Sequence, residues 1–371
     1  MKSKRPEFNR IAIKVGSNVI TKSDGSLNET RMLRLVEDIA VLYKQGVEVI
    51  LVTSGAVAAG RSDVTFSKKT NIISAKQIWA AIGQVKLMST YQFLFGKYGI
   101  HAGQLLATKE AFRDRRHYLN MMNCISAMLE NHVLPIVNEN DTISINELMF
   151  TDNDELSGLI SSMMDCKSLI ILSNVDGVFN GVPGEEGTEL IKIVDEESEN
   201  IDKYISTAKS GFGRGGMLTK CSVAKKTASH GIDVFVANGM RDSIIIDIVR
   251  GKDVPYTHFV ASTKKETGVK RWLSHSGTFA KGAVVVNNGA RDVLIGQKAS
   301  VLMIGVTKIE GFFENGDIVR ILDEEGNDIG LGKAQYDSEK AEQSIGVKLR
   351  KPIIHNDFLI INEKYKVNVQ D

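Results

Sequence analysis

Short β-branched runs, each followed by a longer stretch with helical apolar spacing, occupy roughly the first 250 residues and constrain the fold more than any other feature. The runs are Ile11–Val15, Val47–Thr53, Val133–Asn138, Ser168–Ser173 and Ile232–Ala237. Between the first two, Glu29–Gln45 places Met32, Leu35, Val36, Ile39, Ala40, Leu42 and Tyr43 on one helical face, and Gly46 stands where the helix would end. Strand, amphipathic helix, strand is a βαβ unit. Ile100–Ala107, Tyr118–Glu130 and Leu134–Asn138 read as a second one. The expected class is α/β, a mostly parallel open sheet sandwiched by helices, with its functional loops at the carboxyl ends of the strands.

At 371 residues the chain is too long for one ordinary core. The texture changes near residue 255, where Lys264–Arg271 is charged and lacks apolar periodicity. Short strands then follow at Ala283–Val286, Val301–Ile304, Ile318–Leu322 and Asp357–Ile361, with turn signals such as Asn315-Gly316-Asp317 and Glu325-Gly326-Asn327 between them. The expected organisation is an α/β domain over 1–262, a linker over 263–273 and a small, mostly-β domain over 274–371. Hydrophobic residues at 43% and charged residues at 25% exclude fibrous, disordered and membrane-spanning classes. With 46 Lys+Arg against 45 Asp+Glu, the chain has no basic surplus for nucleic-acid phosphates. Cys124, Cys166 and Cys221 have no metal or redox spacing and read as buried, reduced thiols. The basic N-terminus has no apolar run behind it of the kind an export signal needs, which predicts a cytoplasmic protein.

No G-x-x-x-x-G-K-[ST] occurs, so a Walker P-loop is ruled out. Gly211-Phe212-Gly213-Arg214-Gly215-Gly216 satisfies G-x-G-x-x-G and continues through Met217, Leu218, Thr219 and Lys220 into a helix, where free N–H groups and a lysine suit phosphate oxygens. Lys14, at the end of a strand meant to be buried on both faces, reads by itself equally as a lysine snorkelling from the strand end, and paired with Lys220 as one whose burial a polyphosphate offsets. Val52–Gly60 is a strand ending in small residues that turn into a helix. Asn138-Glu139-Asn140-Asp141 gathers acids and amides suited to a substrate ammonium, and Thr151-Asp152-Asn153-Asp154-Glu155 carries more acids than a helix cap over Leu156–Met164 requires. Ser173–Phe179 closes another strand with groups suited to a nucleotide base or ribose, although a plain Asp-Gly turn reads equally well locally. The seven histidines show neither H-E-x-x-H spacing nor an accompanying G-x-S-x-G, so zinc hydrolysis and a serine triad find no support.

Taken in order, Lys14-Val15-Gly16-Ser17, Val52–Gly60, Asn138–Asp141, Asp152-Asn153-Asp154 and Gly215–Lys220 resemble the amino-acid kinase family, in its branch acting on glutamate, over nearly the whole chain. The tail from about Ser274 looks like a PUA domain. The resemblance implies the amino-acid kinase fold with a PUA-like C-terminal domain, and transfer of phosphate from ATP, with Mg²⁺, to the γ-carboxylate of L-glutamate, feeding proline biosynthesis. A carboxylate is ionised at neutral pH and needs no general base, so the missing catalytic histidine fits. By that analogy Lys14 and Lys220 neutralise the transferring group, Asp154 holds the lysines, and Asp152 is a candidate for Mg²⁺. Ser54, Gly55, Ala56, Asn138, Asp141 and Asn153 correspond to substrate positions, and Lys14, Ser173, Asn174 and Arg214 to Lys220 to ATP positions. The family carries an acid where this chain has Asn174. The resemblance also implies inhibition by proline, a homo-oligomer (dimer or tetramer), and hand-off of the acyl phosphate to a glutamyl-phosphate reductase. The rival readings are a relative acting on aspartate, N-acetylglutamate or a nucleoside monophosphate, and an RNA-binding PUA regulator. From Leu273 onward, 12 Lys+Arg against 14 Asp+Glu leave −2, which argues against RNA.

Overall fold

The structure, a computed structural model, describes residues 7–64, 66, 70–144, 153–181, 185–195, 216–263, 280–297, 299–362 and 365. The chain divides into two compact units, Met1–Lys109 with Met121–Lys265 and Glu110–Asn120 with Glu266–Asp371. Apart from its first residue, the expected linker lies outside the described residues.

In the first unit the strands are β1 (Arg10–Val15), β2 (Glu48–Val52), β3 (His101–Ala107), β4 (Val133–Glu139), β5 (Ser168–Ser173), β6 (Ile193–Val194), β7 (Asp233–Asn238) and β8 (Tyr256–Phe259). They form one sheet in the order β3-β4-β2-β1-β5-β7-β8-β6, parallel throughout except where β8 runs against β7. Both expected βαβ units are present: helix Glu29–Lys44 links β1 to β2, and helix Arg115–Glu130 links β3 to β4. From β1 the chain builds outward on one side through β2, β3 and β4, then crosses to the other side of β1 with β5 and β7. That reversal makes β1 and β5 the switch point of the sheet, the place where ligands bind beyond the carboxyl ends of the strands. Ile11, Ala12, Ile13 and Val15 on β1 are fully buried, as a central strand covered on both faces requires. Each Ile or Val removed from water there contributes about 1.5–3 kcal/mol.

Two helices of this unit meet backbone to backbone. A Cβ on Gly83, in the middle of helix Ile72–Gly96, would lie 1.8 Å from the carbonyl oxygen of Ala56 and 2.5 Å from the amide nitrogen of Gly60. A Cβ on Gly60 would lie 2.0 Å from the carbonyl oxygen of Trp79. Only glycine at both positions lets the short helix Ala56–Arg61 lie this close to the long one. The opposite flank of the long helix is apolar and exposed at Ile78, Ile82, Val85 and Phe93. No helix among the described residues is long and apolar enough to cross a membrane.

The second unit contains β9 (Gly282–Val286), β10 (Val306–Gly311), β11 (Ile318–Asp323), β12 (Asp328–Ala334) and β13 (Ile354–Ile361), in the order β10-β9-β11-β12-β13. Only β9 and β11 pair in parallel. Its core gathers Val284, Val286, Phe313, Val319, Ile321 and Ile354. The expected strand at Val301–Ile304 is a single bridge from Val301 to Ile354 followed by a 3₁₀ turn at Met303–Gly305. Burial still alternates, with Val301 and Met303 inside and Leu302 and Ile304 outside, but the chain bends at Gly305, whose carbonyl accepts from Asn287 N–H. Of the three cysteines, Cys166 and Cys221 are buried as expected, whereas Cys124 is exposed. Cys124 sits on the outward side of helix Arg115–Glu130, beside the exposed Asn123.

Candidate active site

The carboxyl end of β1 places Lys14 between β2 and β5, in register with Val52 and Ile171. Two further groups converge on it. Asp154 comes from the first turn of helix Asn153–Met163, and Lys220 lies one turn into helix Gly216–Ser229. The two helices are held together closely, since a Cβ on Gly158 would lie 2.8 Å from Thr227 Oγ1. Lys14 Nζ lies 2.5 Å from Asp154 Oδ1, and Lys220 Nζ lies 2.8 Å from Oδ2. Each carboxylate oxygen thus faces one ammonium, and the trio carries one net positive charge. Burial by itself would push the Asp154 carboxyl up, but the adjoining Lys14 and Lys220 charges outweigh it and hold the carboxyl below its ordinary value. A rigid pair of ammonium groups at the sheet's switch point is suited to charge that grows on a transferring phosphoryl group.

Beside the trio opens a cavity of about 610 Å³. Ser54, Gly55, Ala56, Asn138, Asp141 and Asn153, all the expected substrate residues, line it together. Gly55 turns the chain from β2 into helix Ala56–Arg61 with φ of 96°, a conformation that glycine adopts without strain. Asn153 Nδ2 donates to the carbonyl of Thr53 (2.7 Å), to Ser54 Oγ (2.9 Å) and to Asn138 Oδ1 (2.9 Å), which ties the ends of β2 and β4 to the helix carrying Asp154. Burial raises the carboxyl of Asp141 above the usual range, with Lys76 pulling it part of the way back. The same cavity is lined by Ser17 and Glu139, which belong to the Lys14–Ser17 and Asn138–Asp141 motifs without a role of their own there, and by Asp24 and Arg61, which belong to none. Arg61 directly follows the Val52–Gly60 motif, so its place after a strand end is the signal the sequence offers for it. Asp24-Gly25 carried only a turn signal.

The expected nucleotide residues on β5 are close to the trio in the sheet. Ser173 is buried at the end of β5, where its Oγ accepts from Val175 N–H, and Asn174 beyond it is exposed. The acid of this loop is Asp176. It is gripped by Arg241 through Nε and an Nη, both at 2.8 Å, and by Asn238 Nδ2 at 2.9 Å. Hydrogen bonding to Arg241, opposed by partial burial, leaves the Asp176 carboxyl below its ordinary value. Arg241 is in turn held from behind, because the largely buried Arg31 donates to its carbonyl and to Asp242. Gly216, Met217, Leu218, Thr219 and Lys220 form the start of helix Gly216–Ser229. Asp152, Arg214 and Gly215 lie outside the described residues.

No cluster of three or more His, Cys, Asp or Glu side chains suited to a metal occurs among the described residues, and the Asp154 oxygens are engaged by ammonium groups. The described residues therefore do not form a protein cage for Mg²⁺. A magnesium ion held chiefly by ATP phosphates and water would need none.

Residues 9–238 match the amino acid kinase family. The chain belongs to that family. Residues 282–353 match the PUA domain. Among curated relatives, the glutamate 5-kinase of Bacteroides thetaiotaomicron is 52% identical over 359 residues, 96% of this chain and 99% of the relative. The glutamate 5-kinase of Chlorobaculum tepidum is 48% identical, over 97% of this chain and 99% of its own. That of Caldanaerobacter subterraneus subsp. tengcongensis is 35% identical, over 96% and 98%. The match thus spans both units of this amino acid kinase from end to end.

Proposed function

We propose that this amino acid kinase transfers the γ-phosphoryl group of ATP to the γ-carboxylate of L-glutamate, giving an acyl phosphate for proline biosynthesis. The observation that carries this reading is the buried Lys14–Asp154–Lys220 trio beside a cavity rich in amides and acids, in a chain that resembles glutamate 5-kinases over nearly its full length. Glutamate lies in the cavity, with Ser54, Gly55, Ala56, Asn138, Asp141 and Asn153 binding it. ATP lies over Ser173 and Asn174, with the segment from Arg214 to Lys220 at its phosphates. Lys14 and Lys220 offset charge as it develops on the transferred group, and Asp154 keeps both in place. The carboxylate attacks already ionised, so no residue removes a proton. Mg²⁺ bound with ATP would supply charge neutralisation on the phosphates, and Asp152 is the residue that would add a ligand to it.

Finer parts of the reading are proposals of the same kind. The kinase domain runs over 1–262 and the PUA domain over 274–371, joined by 263–273, and the protein works in the cytoplasm, where ATP is supplied. Proline, which shares the carbon skeleton of the substrate, inhibits it. The exposed apolar flank of helix Ile72–Gly96 supports a homo-oligomer. The readily hydrolysed product passes to a glutamyl-phosphate reductase.

The test incubates purified protein with ATP, Mg²⁺ and hydroxylamine and offers L-glutamate, L-aspartate or N-acetylglutamate separately. Hydroxamate from glutamate alone, lost in Lys220→Ala and reduced by proline, is the expected result. Product from another acid overturns the substrate, and absence of product from all three overturns the activity.

A further inference from the structure

Two amide side chains of the cavity wall, Asn138 and Asn153, form a chain with Gln84 behind them, and its polarity can be worked out from the backbone. The amide N–H of Glu139 donates to Asn138 Oδ1 at 2.9 Å, and a backbone N–H can only donate. The oxygen of Asn138 is therefore fixed on that side, and its Nδ2 must face the other way, toward Gln84. Gln84 Oε1 accepts it at 2.8 Å. At the other end, Asn153 Nδ2 meets the Thr53 carbonyl and Asn138 Oδ1, both acceptors, so Asn153 Oδ1 is turned away from them. That oxygen is buried and has no hydrogen-bond partner among the described residues. A buried acceptor in this position is costly unless a donor arrives.

Gln84 lies in the middle of the long helix, directly after Gly83, and is only 9% exposed. Its own Nε2 is buried without a partner among the described residues. A methionine of similar shape would avoid that cost, so what glutamine adds here is the acceptor oxygen it presents to Asn138. We infer that Gln84 is a positioning residue for the substrate: by accepting from Asn138 Nδ2 it braces the side of Asn138 opposite the Glu139 N–H and so steadies the chain in which Asn153, oriented by the Thr53 carbonyl and Asn138 Oδ1, offers an oxygen, and not an NH₂ group, to the substrate's ammonium. The inference rests on the proposed function, because it is the amino group of an amino-acid substrate that uses this acceptor. Without Gln84, Asn138 keeps its bond from Glu139 N–H but loses the contact that fixes its other end, so the oxygen to which Asn153 donates is held less firmly and the site distinguishes a substrate with an amino group less sharply from one without.

The experiment compares wild type, Gln84→Met and Gln84→Glu in the hydroxamate assay, using L-glutamate and glutarate, the same diacid lacking the amino group. Gln84→Met is expected to raise the KM for glutamate about tenfold, to leave the KM for ATP unchanged, and to cut the glutamate-to-glutarate ratio of kcat/KM by a similar factor. Gln84→Glu, which in either protonation state presents an acceptor oxygen to Asn138, keeps the ratio near that of wild type. An unchanged ratio in Gln84→Met, parallel rises in both KM values, or equal losses in the two variants would overturn the inference. If Gln84→Met does not fold, Gln84→Ala, in which water of either polarity replaces the amide, carries the same expectation. A wild type inert toward glutamate removes the proposed function and this inference with it, whereas an active wild type with an unchanged ratio in the variant removes this inference alone.

Discussion

Replacing Asp154 with asparagine tests the proposed phosphoryl-transfer site most directly. The carboxylate is fully buried, and its neighbours Lys14 and Lys220 have side chains 5% and 15% exposed. Removing one member of a buried ion pair costs about 3–5 kcal/mol, because the remaining charge keeps its desolvation penalty and loses its partner. Lys220 can turn toward solvent and Lys14 cannot, which favours the lower end, about 3 kcal/mol. In a domain of this size each kcal/mol moves the melting temperature by about 2–4 °C, so Asp154→Asn should melt about 6–12 °C lower. The trio then carries two positive charges instead of one, so a polyphosphate relieves a repulsion absent from wild type, and the stabilisation by ATP·Mg should be larger in the variant. Turnover should fall by about a hundredfold or more as the lysines lose their positions. Since the folded-state pKa of Asp154 lies below its unfolded value, its stabilising contribution is complete above that unfolded value and fades only as pH drops through the folded one. The gap in melting temperature between wild type and variant should therefore hold constant from pH 8 to pH 5. Scanning fluorimetry with and without ATP·Mg across that range provides the measurement. A gap under 2 °C, an ATP shift no larger than that of wild type, or a gap that closes before pH 5 would refute the reasoning.

Three other outcomes are expected. Gly83→Ala must push the long helix more than an ångström from Ala56, beyond ordinary overpacking at about 1–3 kcal/mol, and should lower both the melting temperature and kcat/KM for glutamate. Breaking the half-exposed Asp176–Arg241 pair with Arg241→Ala should raise the KM for ATP severalfold, leave the KM for glutamate unchanged, and alter stability by less than about 1 kcal/mol; the double variant Asp176→Arg, Arg241→Asp should recover ATP binding in steady-state kinetics. Burial pushes the carboxyl of Asp38 up to about 6 while the N–H groups of Ile245 and Ile246 pull it back, so the folded state holds the proton more tightly and wild type loses stability as pH rises from about 4 to about 6. Asp38→Asn should flatten that decline in melting curves recorded across the interval.

Elements with a strong period were legible. β1 is apolar because both its faces are covered, and helix Glu29–Lys44 shows its stripe because one face alone is buried. β12 was not legible, since Asp328-Ile329-Gly330-Leu331-Gly332-Lys333-Ala334 has the glycine content of a loop. Its glycines are packing requirements: a Cβ on Gly330 would lie 2.3 Å from the Ile360 carbonyl oxygen, and one on Gly332 2.3 Å from Ile354 Cγ2. The two-residue β6 and the antiparallel β8 are too short to carry a period. In the site, Lys14, Asp154 and Lys220 could be picked out because charged residues at strand and helix starts stand out from apolar surroundings. Gln84 sits inside a helix that is apolar nearly all round, and its meaning depends on Asn138, 54 positions away. Arg241 likewise becomes intelligible only once β7 is placed beside β5 and brings it to Asp176.

The glycine crossing of the two helices gives the cavity wall an unusual mechanical support. Ile82 and Val85 flank Gly83 and face outward, while Gly83 itself bears on the peptide groups of Ala56 and Gly60. At Gly83 the helix meets the Ala56 carbonyl with no side chain between them. A side chain in that position could absorb a displacement by changing rotamer, whereas peptide groups in direct contact cannot. The helix is about 37 Å of stiff rod at 1.5 Å per residue, and it acts as a beam resting on the cavity wall near its midpoint. A displacement of the long helix at Gly83 therefore bears directly on the Ala56 peptide group in the cavity wall.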